Sequence, residues 1–456
     1  MRLFRHLLSQ AVLKHNMQVV QRLLHHGARL HLKDGSGDMV LHTAIRSNYR
    51  SPAMVSLLLQ HGARINARNR KHATPLIMAT DKGNLEIVRL LVDAGAAINL
   101  ADEDGRTTLM AAAQAGSINI VELLLSHGAD MHVVGKYERN ALLLAVAGGH
   151  TAIVERFLAH GADATYRLSD GTTLLMLSAG APVEVARRLI DAGADVHAHN
   201  RYEETPLMRS AALGNTAMVS FLIEQGGAVN AMSCDGHTAL MQAIVSHAPL
   251  ALITLLVERS ADVRVTNQDG MTLLMQAVYD ATLSRYLVEC GVPVNATTTG
   301  GQTALSRAII GAHTDTVAVL LSAGGDPNRA DQQGWTPLMW TVTRRRNNAA
   351  RLLIDAGADV NARLPENDWL GRLSVLMLAL GAIDDLEYER SPRPRIDIDL
   401  IKQLINKGAD INATTRDYTV LRYAIYAQPQ LPIVKLMLRS GVDINAHTNR
   451  GECVLI

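Results

Sequence analysis

The chain has 456 residues, of which 48% are hydrophobic but only 4% aromatic, a balance suited to short aliphatic helices and a thin, continuous core. Its 44 basic and 43 acidic residues leave a formal charge of +1, and the pI of about 7.9 falls short of the value above about 9 that marks nucleic-acid binders, so no nucleic-acid ligand is expected. No apolar run of about 18 residues occurs, which argues against a membrane span, and Met1-Arg2-Leu3-Phe4 leads directly into a helical pattern with no room for a cleavable signal peptide.

Helical pattern opens the chain and breaks first at His15-Asn16, after which Val19, Val20, Leu23 and Leu24 form the apolar stripe of a second helix. That stripe ends at Gly27. A Gly, once replaced by Ser, then closes a similar stripe at Gly62, Gly95, Gly128, Gly161, Gly193, Gly226, Ser260, Gly291, Gly324, Gly357, Gly408 and Gly441. The spacing of about 33 residues indicates one supersecondary unit repeated along the chain. In the third unit, Thr74-Pro75-Leu76 predicts a helix start, because the Thr hydroxyl caps free amides and Pro needs no donor at the first position. Gly83-Asn84 predicts its break, Ile87, Val88, Leu90 and Leu91 the second helix, and Gly95 its end. Polar residues carrying Asp104-Gly105 form the turn into the next unit.

With these residues the chain resembles ankyrin-repeat proteins. Thr107-Thr108-Leu109-Met110, Thr205-Pro206-Leu207-Met208, Thr336-Pro337-Leu338-Met339 and Gly357-Ala358-Asp359-Val360-Asn361-Ala362 match the family pattern. The resemblance covers residues 3 to 448 and implies an all-α solenoid of stacked helix-turn-helix units with β-hairpin or turn fingers. Residues 1–34 form the first repeat, 35–364 repeats two to eleven, 365–415 a twelfth with insertions, 416–448 a thirteenth and 449–456 the start of a fourteenth. Met mostly replaces the family's His after Leu, which is kept at His42, giving a Met-lined seam between repeats.

Counting the capping Thr as one, position five belongs to the face that lines the concave groove of ankyrin proteins. Early repeats place Met78, Ala111, Leu144 and Leu177 there; later ones place Arg209, Gln242, Gln276, Arg307, Trp340 and Tyr423. All three tryptophans, Trp335, Trp340 and Trp369, fall in one short stretch, with Arg344, Arg345 and Arg346 closing the same helix. Trp, Tyr and Arg dominate interface hot spots, so Arg209, Gln242, Gln276, Arg307, Trp335, Trp340, Arg344, Trp369 and Tyr423 are the candidate protein-binding residues. Position-five residues of the early repeats, such as Ala111 and Leu144, are expected to tolerate change.

The long interval from Gly357 to Gly408 divides into an extended hairpin, residues 364–373, and an insertion between helices around 382–395 with Asp384, Asp385, Glu387 and Glu389. Insertions of this kind often carry specificity in solenoids. Ser260, at a position needing left-handed backbone, and the shortened repeat after it predict a soft joint at repeats eight and nine. Val454, Leu455 and Ile456 leave an unfinished repeat that offers a surface for end-to-end self-association.

No phosphate-binding Gly-rich loop, His-Glu-x-x-His helix, paired-cysteine site or nucleophile elbow occurs, so neither catalysis nor a cofactor or metal is expected. Cys234, Cys290 and Cys453 lie far apart and point to a reducing, cytoplasmic setting. His25-His26, His61, His127 and His160 sit at helix ends, where such side chains suit the terminal carbonyls. Asn295-Ala296-Thr297 and Asn412-Ala413-Thr414 match the glycosylation sequon but occupy a structural position of the repeat. The sequence therefore predicts a noncatalytic scaffold that binds another protein, with an inhibitor or immunity-type protein, a secreted effector, or a self-associating array as alternatives.

Overall fold

The computed structural model describes residues 2–47, 49, 51–365, 372–382, 396–426 and 430–448. Among them are 26 α-helices in thirteen consecutive pairs, two per repeat. The chain divides into two compact units, Met1–Ala231 with repeats one to seven and Met232–Ile456 with the rest. Trp369, the acidic residues of the insertion, and Val454, Leu455 and Ile456 lie outside the described residues.

Each repeat is built by its caps. In repeat three the inner helix Pro75–Asp81 begins where Thr74 Oγ1 accepts the Ile77 amide at 3.2 Å, and the outer helix Leu85–Asp93 begins where Asn84 Oδ1 accepts the Ile87 amide at 3.1 Å. Gly95 ends the outer helix at φ +86°, and the Ala96 amide returns to the Leu91 carbonyl at 2.9 Å. Helices this short are marginal alone, so their stability comes from packing. Leu76, Ala79, Ile87, Val88 and Leu91 are fully or almost fully buried, and inner helices pack on inner helices within each unit. Four histidines finish outer helices as the sequence implied: His26, His61, His127 and His160 bring Nδ1 to carbonyls four residues back at 2.8 to 2.9 Å.

The expected hairpins are tighter than strands. Only isolated bridges form among the described residues, such as Ala101 with Thr107 and Thr266 with Thr272. An Asx turn holds the finger instead: Asp102 Oδ1 accepts the Asp104 and Arg106 amides at 3.0 and 2.9 Å. Successive fingers join through their backbones, as when Glu103 donates to the Lys71 carbonyl at 2.9 Å and Lys136 to that of Asp104 at 2.8 Å. Below the tips runs an asparagine ladder. Asn328 accepts the Asp359 amide at 2.7 Å and donates to the Gly357 carbonyl at 3.2 Å, and Asn361 repeats this with Asp410 and Gly408. Asn295 and Asn412, the sequon residues, belong to the same ladder through Asp326 and Asp443.

Repeat nine has the shortest inner helix of the C-terminal unit among the described residues. Its inner helix, Leu273–Gln276, is one turn long, and Ser260 ends the preceding outer helix at φ +66°. The outer helices of repeats eight and nine also lack the extensive contact seen between later outer helices. Side chains partly compensate: the Tyr279 hydroxyl donates to the Ile244 carbonyl at 2.7 Å, and Ser284 Oγ to that of Ala277 at 3.1 Å. At the terminating Gly of other repeats, an added Cβ would meet nothing within 4 Å, so the cost of a side chain there is in the backbone. Ser260→Gly is therefore expected to stabilise the C-terminal unit by about 1 kcal/mol, read as a higher urea midpoint. A lowered midpoint would mean that the Ser260 side chain contributes more than its backbone costs.

His42 is fully buried and reaches back to the amide of the capping residue, Met39. The Met39 amide donates to its Nδ1 at 3.2 Å, so Nε2 carries the proton and donates to the Ala73 carbonyl of the next repeat at 3.1 Å. Burial holds the imidazole below its ordinary value of 6.5, against the opposing pull of the Ala73 carbonyl and the Asp38 charge. The neutral ring is thus favoured in the folded state. Its stabilisation is complete above about pH 6.5 and declines as pH falls toward the folded value, because the unfolded chain takes up the proton first. His42→Met is expected to lessen the loss of stability of the N-terminal unit between about pH 7 and about pH 5. Parallel slopes for the two proteins in urea titrations would contradict this.

Candidate partner-binding face

Position five of the inner helix is governed by the residue just before the cap, a position at which the sequence reading singled out only Trp335. Extended backbone at the capping residue carries the preceding side chain back over the first helical turn, where it meets position five. Glu204 pairs with Arg209 at 2.9 Å in the N-terminal unit. In the C-terminal unit Gln302 Oε1 accepts from Arg307 at 3.4 Å, Trp335 stacks on Trp340 with centroids 4.8 Å apart, and Tyr418 meets Tyr423 at 5.2 Å. The pairs are chemically matched: charge with charge, amide with guanidinium, ring with ring.

Repeat eleven holds the most elaborate of these pairs. Asp331 Oδ1 accepts the amides of Gln333 and Trp335, while its Oδ2 accepts Trp340 Nε1 at 3.2 Å. One carboxylate therefore fixes both the finger and the indole. Arg344 lies with its guanidinium carbon 5.1 Å from the Trp340 ring centre and is itself exposed. Both rings are half-buried, which leaves a rigid aromatic surface with a cation beside it. Trp335, Trp340 and Arg344 are thus brought together.

Other predicted residues have different surroundings. Gln242 and Gln276 are half-buried, and Gln276 Oε1 is shielded from solvent with no hydrogen-bond partner among the described residues. Arg307 is a structural tie, since its Nε donates to the Met275 carbonyl at 3.2 Å and so closes the one-turn helix of repeat nine. Tyr423 is buried at 8% exposure against Tyr418; its aromatic neighbour closes the position that the sequence reading took as open. Ala111 and Leu144 are also buried, at 1% and 8%, so substitution there is expected to cost packing between repeats. Val245 and Tyr279, three residues beyond position five, add exposed and half-buried apolar surface that the reading did not name. Their signal was the same three-residue offset along the helix.

Among the described residues no cluster of His, Cys, Asp or Glu is placed to hold a metal ion, and no helix is long and apolar enough to cross a membrane. Repeated helix pairs, capped by Thr and Asn, closed by Gly and joined through turn fingers, define an all-α repeat solenoid architecture. The family model for ankyrin repeats in three copies matches residues 8–102, 49–134, 109–200, 175–267, 245–331 and 274–364, so the chain belongs to the ankyrin-repeat family. It is similar to ankyrin repeat domain-containing protein 63 of Homo sapiens, 34% identical over 99 residues that cover 22% of this chain and 26% of the relative. Ankyrin repeat and SOCS box protein 6 of Homo sapiens is 35% identical over 143 residues, 30% of each chain. The B-cell lymphoma 3 protein homolog of Mus musculus is 28% identical over 162 residues, 31% of this chain and 36% of that one. The match spans roughly a quarter to a third of these relatives' lengths.

Proposed function

We propose that the chain is a noncatalytic cytoplasmic scaffold that holds another protein on the inner-helix face of its C-terminal unit. The observation that carries this is the Trp335–Trp340 stack with Arg344 beside it, held in one arrangement by Asp331. An aromatic pair already stacked in the free protein loses little conformational freedom on binding, and Trp and Arg together supply area and directed donors. Membership of a family that generally binds proteins supports the class of function.

A photo-crosslinking residue placed at Trp340 should join to the partner recovered from native lysate, whereas one placed at Arg285 on an outer helix should not. Crosslinking from Arg285 alone would move the interface to the other side of the repeats.

A further inference from the structure

Charge is spread unevenly along this nearly neutral chain. Residues 1–80 hold 12 of the 44 Lys and Arg but only two of the 43 Asp and Glu, a balance of +10, so the remaining residues stand at −9. The two acids are Asp34 and Asp38, and both are already bound: Arg46 reaches Asp38 at 2.6 Å and Asp34 at 3.4 Å. The other cations of the first two repeats have no further acid in their own segment to meet.

Six of them gather on the two turn fingers that follow the outer helices Met17–His25 and Pro52–Gln60: Arg29, Lys33, Arg64, Arg68, Arg70 and Lys71. All six are exposed and make no carboxylate contact among the described residues. The fingers touch, the Arg70 amide donating to the Ser36 carbonyl at 3.1 Å, so the two sets of charge lie side by side. Arg68 is fixed without being neutralised, since its guanidinium donates to the His72 carbonyl at 3.2 Å and to the Ala101 carbonyl of the next finger. The patch stops at that finger, where Glu103 is exposed and Asp102 and Asp104 pair with Arg106 and Lys136.

Two of the cations stand where the repeat otherwise favours a carboxylate. Two residues past the terminating Gly, Asp130, Asp163 and Asp195 each accept the amide two residues further on, at 2.8 to 2.9 Å. Repeats one and two place Arg29 and Arg64 there, and a guanidinium, which only donates, cannot make that bond. Local turn structure is given up and like charges are crowded together, a cost recovered only when a polyanion covers them.

The patch also discriminates among polyanions. Phe4 and Tyr49 are the only aromatic residues of 1–80, so none of the six cations has an aromatic residue beside it in sequence on which a base could stack. Leu32, next to Lys33, is 38% exposed. An aliphatic side chain gains nothing against a phosphate backbone but gains burial at the boundary between lipid headgroups and acyl chains. About four to eight clustered Lys and Arg suit the anionic leaflet of a bilayer.

We propose that these two fingers dock the N-terminal unit on an anionic lipid surface, with the six cations among the headgroups and Leu32 at the acyl boundary. The attachment is peripheral. It does not depend on the Trp340 face, which belongs to the other unit.

The test is co-sedimentation of the full chain with vesicles of phosphatidylcholine alone or of equal parts phosphatidylcholine and phosphatidylserine. Binding should require phosphatidylserine and fade as salt rises, because exposed charges are screened. Arg29→Glu with Arg64→Glu should raise the lipid concentration for half-binding at least about tenfold. The same pair changed to Gln, checked by melting temperature, guards against a folding defect. Arg264→Glu with Arg285→Glu makes the same change in net charge outside the patch and should bind like the parent. Leu32→Ser should weaken vesicle binding at unchanged charge, and a duplex oligonucleotide at matched phosphate concentration should bind less tightly than the vesicles. Trp340→Ala should leave vesicle binding unchanged, so failure of the C-terminal reading would be seen separately. The proposal is overturned if phosphatidylserine adds nothing, if the two charge-reversed pairs behave alike, if Leu32→Ser binds like the parent, or if the duplex binds more tightly.

Discussion

Phe157→Ala is expected to destabilise the N-terminal unit by about 3–5 kcal/mol, the range for emptying a large aromatic site in a core. Phe157 is fully buried in the outer helix Thr151–Ala159, and its carbonyl accepts the His160 and Ala162 amides that close that helix. Ile153 and Val154 are the other buried residues of that helix, and a nine-residue helix closed at its C-terminal end by the His160 and Ala162 amides can shift little to fill the space. Because each repeat contacts mainly its neighbours, the loss should not spread evenly along the chain. The tryptophans provide a natural reporter, since all three lie in the C-terminal unit. In urea, far-UV circular dichroism should show part of the transition moved to lower denaturant while the tryptophan fluorescence midpoint stays in place. Equal shifts in both signals would mean that the two units unfold as one.

The division of labour between sequence and structure follows from which contacts are periodic. Thr74, Asn84 and Gly95 recur at fixed places because every repeat needs the same amides and the same left-handed residue satisfied, so the helices could be read directly. The structural position of Asn295 and Asn412 was legible for the same reason, but the inter-repeat bonds of the asparagine ladder were not. Pairing between position five and the residue before the cap was not, because the two are five apart across a change of backbone conformation, outside the helical three- and four-residue spacings. That pairing decides whether a position is open. Tyr423 was read as groove-facing but closes on Tyr418, while Trp340, with a similar partner in Trp335, stays half-exposed beside Arg344. Arg307 looked like a binding residue because its neighbour's defect, a one-turn helix with a free carbonyl at Met275, is visible only in three dimensions. The boundary after Ala231 left no trace in the Gly spacing, since Gly226 is in register with its neighbours.

Trp340→Ala should weaken the partner by at least about 2 kcal/mol, roughly a 30-fold rise in Kd, if repeat eleven carries a hot spot. Truncation removes the ring that Trp335 stacks on and that Arg344 covers, and it leaves Asp331 Oδ2 without its indole donor. The stability cost should be smaller, about 1 kcal/mol, because the ring is only half-buried and Asp331 keeps its bonds to the Gln333 and Trp335 amides. Arg307→Ala should behave differently. Its bond to the Met275 carbonyl closes the one-turn helix of repeat nine, so the melting temperature should fall along with binding. Asp331→Ala separates positioning from contact: both rings remain, but neither the finger nor the indole is fixed, so affinity should fall mainly through faster dissociation. Tyr423→Ala, by contrast, removes a buried ring and should lower stability more than affinity. Measuring Kd and urea midpoint on each variant therefore yields a pattern, not a single number. A partner that still binds the Trp340→Ala, Arg307→Ala double variant with unchanged Kd would exclude the inner-helix face of the C-terminal unit as the interface.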